Sequence, residues 1–427
     1  MTQDREPLES GSEKTHSTEK ETGLDRLKHR LFRPGVLIAV FAVVLCGMGV
    51  VIHLLMNSAP PVPVVMESKE PVVLQAVSPE SSKRIYEEAF GGLEEIVKQV
   101  DFALLEALRT SGIDMQRLEL DEVTIRSHAG QDYHFQRLRI PNVKKRDAFL
   151  LALQKSLSKR VTNAYLTGDG DHVSLMVGDV NTHDILLDGI RQTPSAPAPN
   201  RVNGPKLVVV IDDVGENMKI LKGLLSIDLP LVYAVWPASS HMNESVRLLR
   251  KAGRDILVHF PMQPKGYPRV NPGEGALFVT MNAREISNTV RKYVAMIPEA
   301  IGANNHMGSL FTENKPGMRA ALKEFKKRGL FFLDSMTTPK SVGRDVARSI
   351  AIPFYKRNVF LDNVKDVSSI VYQLRKAERI AQSRGQAIAI GHPHPATLAA
   401  IRQWATRRNK KVTVVPLSRL KPAFSDS

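Results

Sequence analysis

Residues 206–215 read KLVVVIDDVG, an unbroken apolar run that ends in two adjacent carboxylates, Asp212 and Asp213. A strand that is apolar at every position, not at every second one, is buried on both faces, as in a parallel sheet. Working outward from this strand, similar short runs recur at Leu231–Val235, Asp255–Val258, Ala300–Gly302, Leu330–Leu333, Ala351–Ile352, Ala387–Ile390 and Lys411–Pro416. Helical spacing fills intervening stretches such as Ala283–Met296, Pro316–Arg328, Val364–Arg384 and Ala396–Thr406. Strand–helix alternation of this kind predicts an α/β domain whose parallel sheet is covered on both sides or closed into a barrel.

Ligands and catalytic groups in such folds sit at the carboxyl ends of the strands, and polar residues gather there. The first strand ends in Asp212-Asp213, the third in His259, the next in Asn304-Asn305-His306, another in Asp334-Ser335, and the late one in His392-Pro393-His394. A single Asp or His after a strand is usually a cap or turn residue, but five such ends in one domain point to a converging site. Adjacent carboxylates allow one to bind a metal while the other acts as a base. Imidazoles with a carboxylate suit a borderline divalent ion, and three protein ligands with an open position make a catalytic site. Another imidazole can protonate a leaving amine, so the set predicts metal-assisted hydrolysis of an amide or ester. A serine-nucleophile hydrolase fits poorly, because no G-x-S-x-G elbow is present.

The runs VVVIDDVG, AVWPASSH, ILVHFPMQP, IGANNHMGS, FFLDSMTTPKS and AIAIGHPHP, in this order, resemble the divergent branch of the polysaccharide deacetylases over residues 206–420. The resemblance implies a distorted β/α barrel and metal-dependent removal of acetyl groups from N-acetylated sugars. It implies Asp212 as general base and His392 as general acid, with Asp213, His259 and His306 holding a divalent metal, Zn2+ being the expected one. Asn305 and Ser309 are expected to orient substrate or stabilise the oxyanion, with Asp334 and His394 as support residues. Two departures stand out. Other branches carry a second metal-binding His four positions after the first, where this chain has Gln263, so the second imidazole is assigned to His306. Their arginine-containing third motif is replaced here by NNHMGS. A catalytically inactive glycan-binding or scaffold protein on the same fold is the alternative, and metal content separates the two. His241 is read as lying at a helix N-terminus.

Before the deacetylase-like domain, the Pro/Ser/Ala-rich stretch 191–205 reads as a linker. Residues 82–190 read as a small α+β domain: a helix through Ile85, Leu93, Ile96, Val100, Leu104 and Leu108, strands near residues 117–125 and Tyr133–Ile140, a helix over Arg146–Ser158, and three further strands. Its histidines His128, His134, His172 and His183 share no metal-ligand spacing and are read as surface residues. A Pro-rich linker spans 57–81.

Residues 35–56, GVLIAVFAVVLCGMGVVIHLLM, carry no charge and match the roughly 20 residues that cross a bilayer as a helix. Arg26, Lys28, Arg30 and Arg33 flank its N-terminal side, so the positive-inside rule leaves residues 1–34 as a disordered cytoplasmic tail. The expectation is a single-pass inner-membrane protein with its C-terminal domains in the periplasm, facing a polysaccharide or peptidoglycan-like glycan. The lone Cys46 falls inside the span, which excludes a cysteine nucleophile or a cysteine-rich zinc site beyond it. The formal charge of +15 invites a nucleic-acid reading, but basic residues such as Lys323, Lys326, Lys327 and Arg328 lack interleaved aromatics. An anionic membrane or envelope polymer accounts for the charge, and no nucleic-acid partner is expected. Residues 421–427 read as a short tail.

Overall fold

The computed structural model describes residues 92–115, 118–141, 143, 145–187 and 204–424. The predicted cytoplasmic tail, membrane span and Pro-rich linker lie outside the described residues, as do most of the second linker and residues 425–427. Among the described residues, no helix is long and apolar enough to cross a membrane.

Residues 92–187 form an α+β layer. Helix α1 (Leu93–Thr110) and helix α2 (Arg146–Arg160) pack with a five-stranded sheet of β1 (Glu119–His128), β2 (Gln131–Ile140), β3 (Ala164–Thr167), β4 (His172–Val177) and β5 (Val180–Leu187). The strand order is β1-β2-β5-β4-β3, with only the central β2–β5 pair parallel. Leu104, Leu108, Leu138, Phe149, Leu153, Leu157 and Leu187 are fully enclosed and form its core.

The larger layer begins with β6 (Lys206–Val214) and continues through α3 (Met218–Leu225), β7 (Val232–Val235), α4 (Met242–Lys251), β8 (Ile256–Met262), α5 (Ala283–Ala295) and β9 (Gly302–Met307). It then runs through α6 (Lys315–Lys327), β10 (Phe331–Asp334), α7 (Gly343–Ile350), β11 (Phe354–Lys356), β12 (Val359–Phe360), α8 (Val367–Arg384), β13 (Gln386–Gly391), α9 (Pro395–Arg407) and β14 (Thr413–Val414). Side chains mark the helix starts. Asn217, Asn314 and Asp366 accept hydrogen bonds from first-turn amides, and Asn282 with Glu285 closes a capping box.

All pairings in this sheet are parallel, in the order β11-β10-β9-β8-β7-β6-β13-β12, with β14 beside β6. The two edge strands, β11 and β12, are separated in the chain by only Arg357 and Asn358. The sheet therefore curls far enough for one continuous segment to join its edges, a half-barrel of parallel strands where the resemblance implied a distorted barrel. One predicted strand is misplaced. Ala351–Ile352 is not a strand: Ala351 ends α7 in the left-handed region at φ 52°, and Pro353 separates it from β11.

Alternation along the strands sorts their side chains. Leu207, Val209 and Ile211 join the cluster that packs under the helices, whereas Val208, Val210, Val232, Ala234, Leu257, Leu333, Ile388 and Ile390 form a separate cluster inside the barrel. Continuing the inward phase past the apolar layer leads to Asp212, His259, Asn304, His306 and His392.

The described residues form one compact unit, and α8 is where the two layers meet. It lies against β1 and contributes to a buried polar cluster centred on Asp101. That carboxylate lies 3.1 Å from Lys376 Nζ and 2.9 Å from His183 Nε2, and it accepts hydrogen bonds from Gln136 (2.6 Å), Tyr372 (3.4 Å) and Gln373 (3.5 Å). The surface reading of His183 and His134 is thereby corrected. His183 is enclosed in this cluster and His134 is buried with its Nδ1 2.8 Å from Glu94, while His128 and His172 are exposed. Cover from α1 and α8, which strand periodicity alone does not reveal, makes the difference.

Burial pushes the Asp101 carboxyl up, but Lys376 and the bonds from His183 and Gln136 outweigh it and hold the group well below the usual carboxylate range. A depressed folded pKa contributes stability that is present above the unfolded value of about 3.9 and is lost as pH falls below it. Asp101→Asn, which leaves buried Lys376 with only the more distant Glu94 carboxylate, 4.0 Å away, as counter-charge, is expected to reduce unfolding stability at pH 7 by about 3 kcal/mol. Urea unfolding should show that the deficit relative to the parent narrows below about pH 4.

Candidate active site

Adjacent strand residues ordinarily point to opposite faces, so Asp212 and Asp213 can serve one site only if the strand breaks its own pattern. It does. The β6–β7 register shifts between Ile211 and Val214, and Asp213 sits in the left-handed region at φ 52°. This bulge turns both carboxylates into the barrel mouth. The chain leaves the bulge through Gly215 at φ 129°, where a Cβ would lie 1.8 Å from Ser239 Oγ. Only glycine fits there.

Asp213, His259 and His306 converge. Asp213 Oδ1 lies 3.0 Å from His259 Nε2 and 3.0 Å from His306 Nδ1, and those two ring nitrogens are 3.1 Å apart. Three ligands around a tetrahedral zinc, with bonds of about 2.0–2.1 Å, stand about 3.3 Å from one another. Asp213 Oδ1 is also a buried oxygen that accepts no hydrogen bond among the described residues. The donor set, its spacing and this orphaned oxygen fit a divalent cation. Trp236, at the end of β7, stacks on the outer ligand His306 with ring centroids 5.9 Å apart.

Asn304 orients the set. Its Oδ1 lies 2.9 Å from His259 Nδ1, and its Nδ2 donates to both Asp212 oxygens at 2.8 and 3.0 Å. Because the amide nitrogen is committed to a carboxylate, its oxygen must accept from the imidazole. The proton of His259 is thus held on Nδ1, and the Nε2 lone pair faces Asp213 and His306. Burial raises the pKa of Asp212 although His259, His392 and the Asn304 bond oppose it. Burial also raises that of Asp213, but His306 and His259 outweigh it and hold this carboxyl well below the ordinary range. Burial depresses His259, yet Asp212 and Asp213 raise it overall.

On the other side of the mouth, His392 Nδ1 lies 2.9 Å from Asp362 Oδ1, and the His392 backbone N–H donates to Asp362 Oδ2 at 2.6 Å. Thr397 adds a hydrogen bond to the same carboxylate at 2.7 Å. Burial pushes the His392 imidazole down, but Asp362, with Asp213 and Asp212 beyond it, raises it to about 9. His394 goes the other way. Burial, against the pull of Asp362 and with the push of Lys365 and His392, lowers it to about 4.

Several predicted residues lie elsewhere. Asn305 is out of phase with its neighbours. Its side chain accepts from Ser335 N and donates to Met307 O and Thr337 Oγ1, fastening the strand end instead of facing the cluster. Asp334 is likewise out of phase, bonded to Ser341 Oγ and Met336 N. Ser309 Oγ accepts from Lys265 N. Gln263 accepts from Val279 N, so the position of the missing second imidazole serves a loop. His241 occupies the N-cap position of α4 and is exposed, as its sequence context suggests. Sequence reasoning missed Asn304, Asp362 and Trp236. Strand phase could have found Asn304, but Asp362 follows a two-residue strand that no periodicity marks.

Residues 209–421 match the divergent polysaccharide deacetylase family. An uncharacterized protein of Escherichia coli, YibQ, is 34% identical over 215 residues, covering 50% of this chain and 67% of that protein. A Haemophilus influenzae protein, also uncharacterized, is 32% identical over 215 residues, covering 50% of this chain and 76% of that one. The chain is a member of the divergent polysaccharide deacetylase family. Among solved structures, the uncharacterized protein ATU2773 of Agrobacterium tumefaciens is similar at 27% identity and TM-score 0.47, over 51% of this chain and 89% of that one.

Purified protein supplied with zinc should hold about one ion per chain by elemental analysis, and Asp213→Ala and His306→Ala should each abolish it. Because His259 is raised in the metal-free chain, its proton competes with the cation. Calorimetry in buffers of different ionisation enthalpy should therefore show proton release on binding, with affinity falling as pH is lowered.

Proposed function

We propose that this chain is a metal-dependent carbohydrate deacetylase that hydrolyses N-acetyl groups on a cell-envelope polysaccharide or peptidoglycan-like glycan. The observation that carries the reading is the convergence of Asp213, His259 and His306 within 3.0–3.1 Å, with Asp212 beside them and the His392–Asp362 pair across the mouth. A cation on these ligands would polarise the acetyl carbonyl and acidify the attacking water.

The protein groups divide the proton work. Asp212, raised by burial, accepts a proton from the attacking water as its oxygen bonds to the carbonyl carbon. His392, held protonated by Asp362, gives its proton to the amine nitrogen as the C–N bond breaks, leaving acetate and a free amine. Asn304 keeps Asp212 and His259 in register. The half-buried Trp236 offers an aromatic face beside His306 on which a sugar ring can stack.

The same proposal places the enzyme on the periplasmic side of the inner membrane, anchored by residues 35–56. The uncharged run and its Arg/Lys-rich N-terminal flank support that placement, and a topology reporter fused after residue 427 tests it. Cytoplasmic reporter activity would remove it.

Acetate release from N-acetylated glycan is the direct assay, and His392→Ala should reduce it by about 10²–10⁴-fold. Rate should fall as pH rises through the His392 pKa, at or below about 9 because a bound cation draws it down. Asp362→Asn should move this descending limb toward the ordinary imidazole value of about 6.5. Metal binding without any acetate release would instead favour a glycan-binding scaffold.

A further inference from the structure

The two members of the His392–Asp362 pair lie on the segments that flank one helix in the chain. Asp362 lies four residues before Asp366, the N-cap of α8, and His392 directly follows β13, which α8 enters through Gly385. The strand that carries the Asp362 segment, Val359–Phe360, is too short to fix it alone. What holds α8 therefore bears on both groups.

The small domain holds α8. Asp101 on α1 receives Lys376, Tyr372 and Gln373 from α8, and Tyr372 Oη also donates to Gln136 Oε1 on β2 at 2.7 Å. Lys376 and Asp101 are both almost completely enclosed, so neither charge has water as a substitute partner. The same helix α1 reaches the barrel mouth directly. Lys98 Nζ lies 5.9 Å from the Phe360 ring centroid, and the Phe360 ring is 5.1 Å from that of His392. Just before α1, Gly92 is backed against Pro339 in the loop after β10, where a Cβ would stand 3.3 Å from Pro339 Cγ.

We propose that the small domain is part of the catalytic apparatus: Asp101, through Lys376 and α8, and Lys98, through Phe360, are positioning residues for the His392–Asp362 pair. This rests on reading His392 as the general acid; the contact path itself does not. The domain therefore acts as a clamp on the acid side of the site and leaves the metal side, carried by β6, β8 and β9, to the barrel.

The test uses the full chain and hydrogen–deuterium exchange, which needs no turnover. In Asp101→Asn, amides at 360–364 and 391–393 are expected to accelerate at least about tenfold more than those at 256–262 and 302–307, and about one zinc per chain is retained. Lys98→Ala should accelerate 360–364 alone. The paired variant Asp101→Leu with Lys376→Met, which removes both charges together, should recover unfolding stability yet leave exchange at both segments faster than in the parent. In the acetate assay, Asp101→Asn should lower kcat with KM unchanged. Unaltered exchange at 360–364 and 391–393, or equal acceleration at 256–262 and 302–307, would overturn the proposal. A parent chain that releases no acetate, with the exchange pattern still as expected, removes the deacetylase reading and leaves the clamp in place.

Discussion

Two carboxylates adjacent in sequence must face the same way, and the site is built around that constraint. A regular strand would send Asp213 out among the helices while Asp212 faced the mouth. The bulge after Ile211 and the left-handed backbone of Asp213 remove the conflict. A non-glycine residue in that region is strained by about 1 kcal/mol or more, and asparagine and aspartate tolerate it best. The strain is held by what surrounds it. Gly215 lets the chain pass Ser239, and the Gly215 carbonyl accepts the His241 amide at 2.9 Å, tying the bulge to the start of α4.

With the carboxylates placed, electrostatics dictates their neighbours. Two buried anions side by side repel and lack solvation. Asp213 is compensated by two imidazoles, which leaves it ionised and suited to a cation. At Asp212 burial prevails over His259, His392 and the Asn304 bond, so its carboxyl is raised. One environment thus separates two chemically identical groups into ligand and base. His392 and His394 repeat the principle: two positions apart, they are pushed to about 9 and about 4, because Asp362, hydrogen-bonded to His392, outweighs burial there, whereas burial prevails at His394.

The sequence revealed most of this at the level of strands and little at the level of partners. Apolar runs located β6, β7, β8, β10 and β13 to within a few residues, because parallel strands buried on both faces carry a signal at every position. Asp213, His259 and His306 were legible because each follows such a run. Asn305 and Asp334 were misjudged because proximity to a strand end was weighed without phase: Leu333 faces the barrel, so Asp334 cannot. Asp362 and the burial of His183 were illegible for other reasons. Asp362 follows a strand of only two residues, and His183 is enclosed through α8, whose contacts with Asp101 and Gln136 span more than 200 residues and leave no local pattern.

That long-range contact raises the question of why charge was placed there at all. Apolar residues of equal volume at Asp101 and Lys376 would pack as well or better, since a buried ion pair seldom exceeds the desolvation it requires. What charge adds is intolerance of misfit. An apolar helix face can slide against its neighbour by a fraction of a turn with little loss, whereas Asp101 must meet Lys376, Tyr372, Gln136 and His183 together or leave a charge buried alone. A domain whose task was only to cover the barrel would gain nothing from such exactness. A domain that sets the register of the helix between Asp362 and His392 requires it.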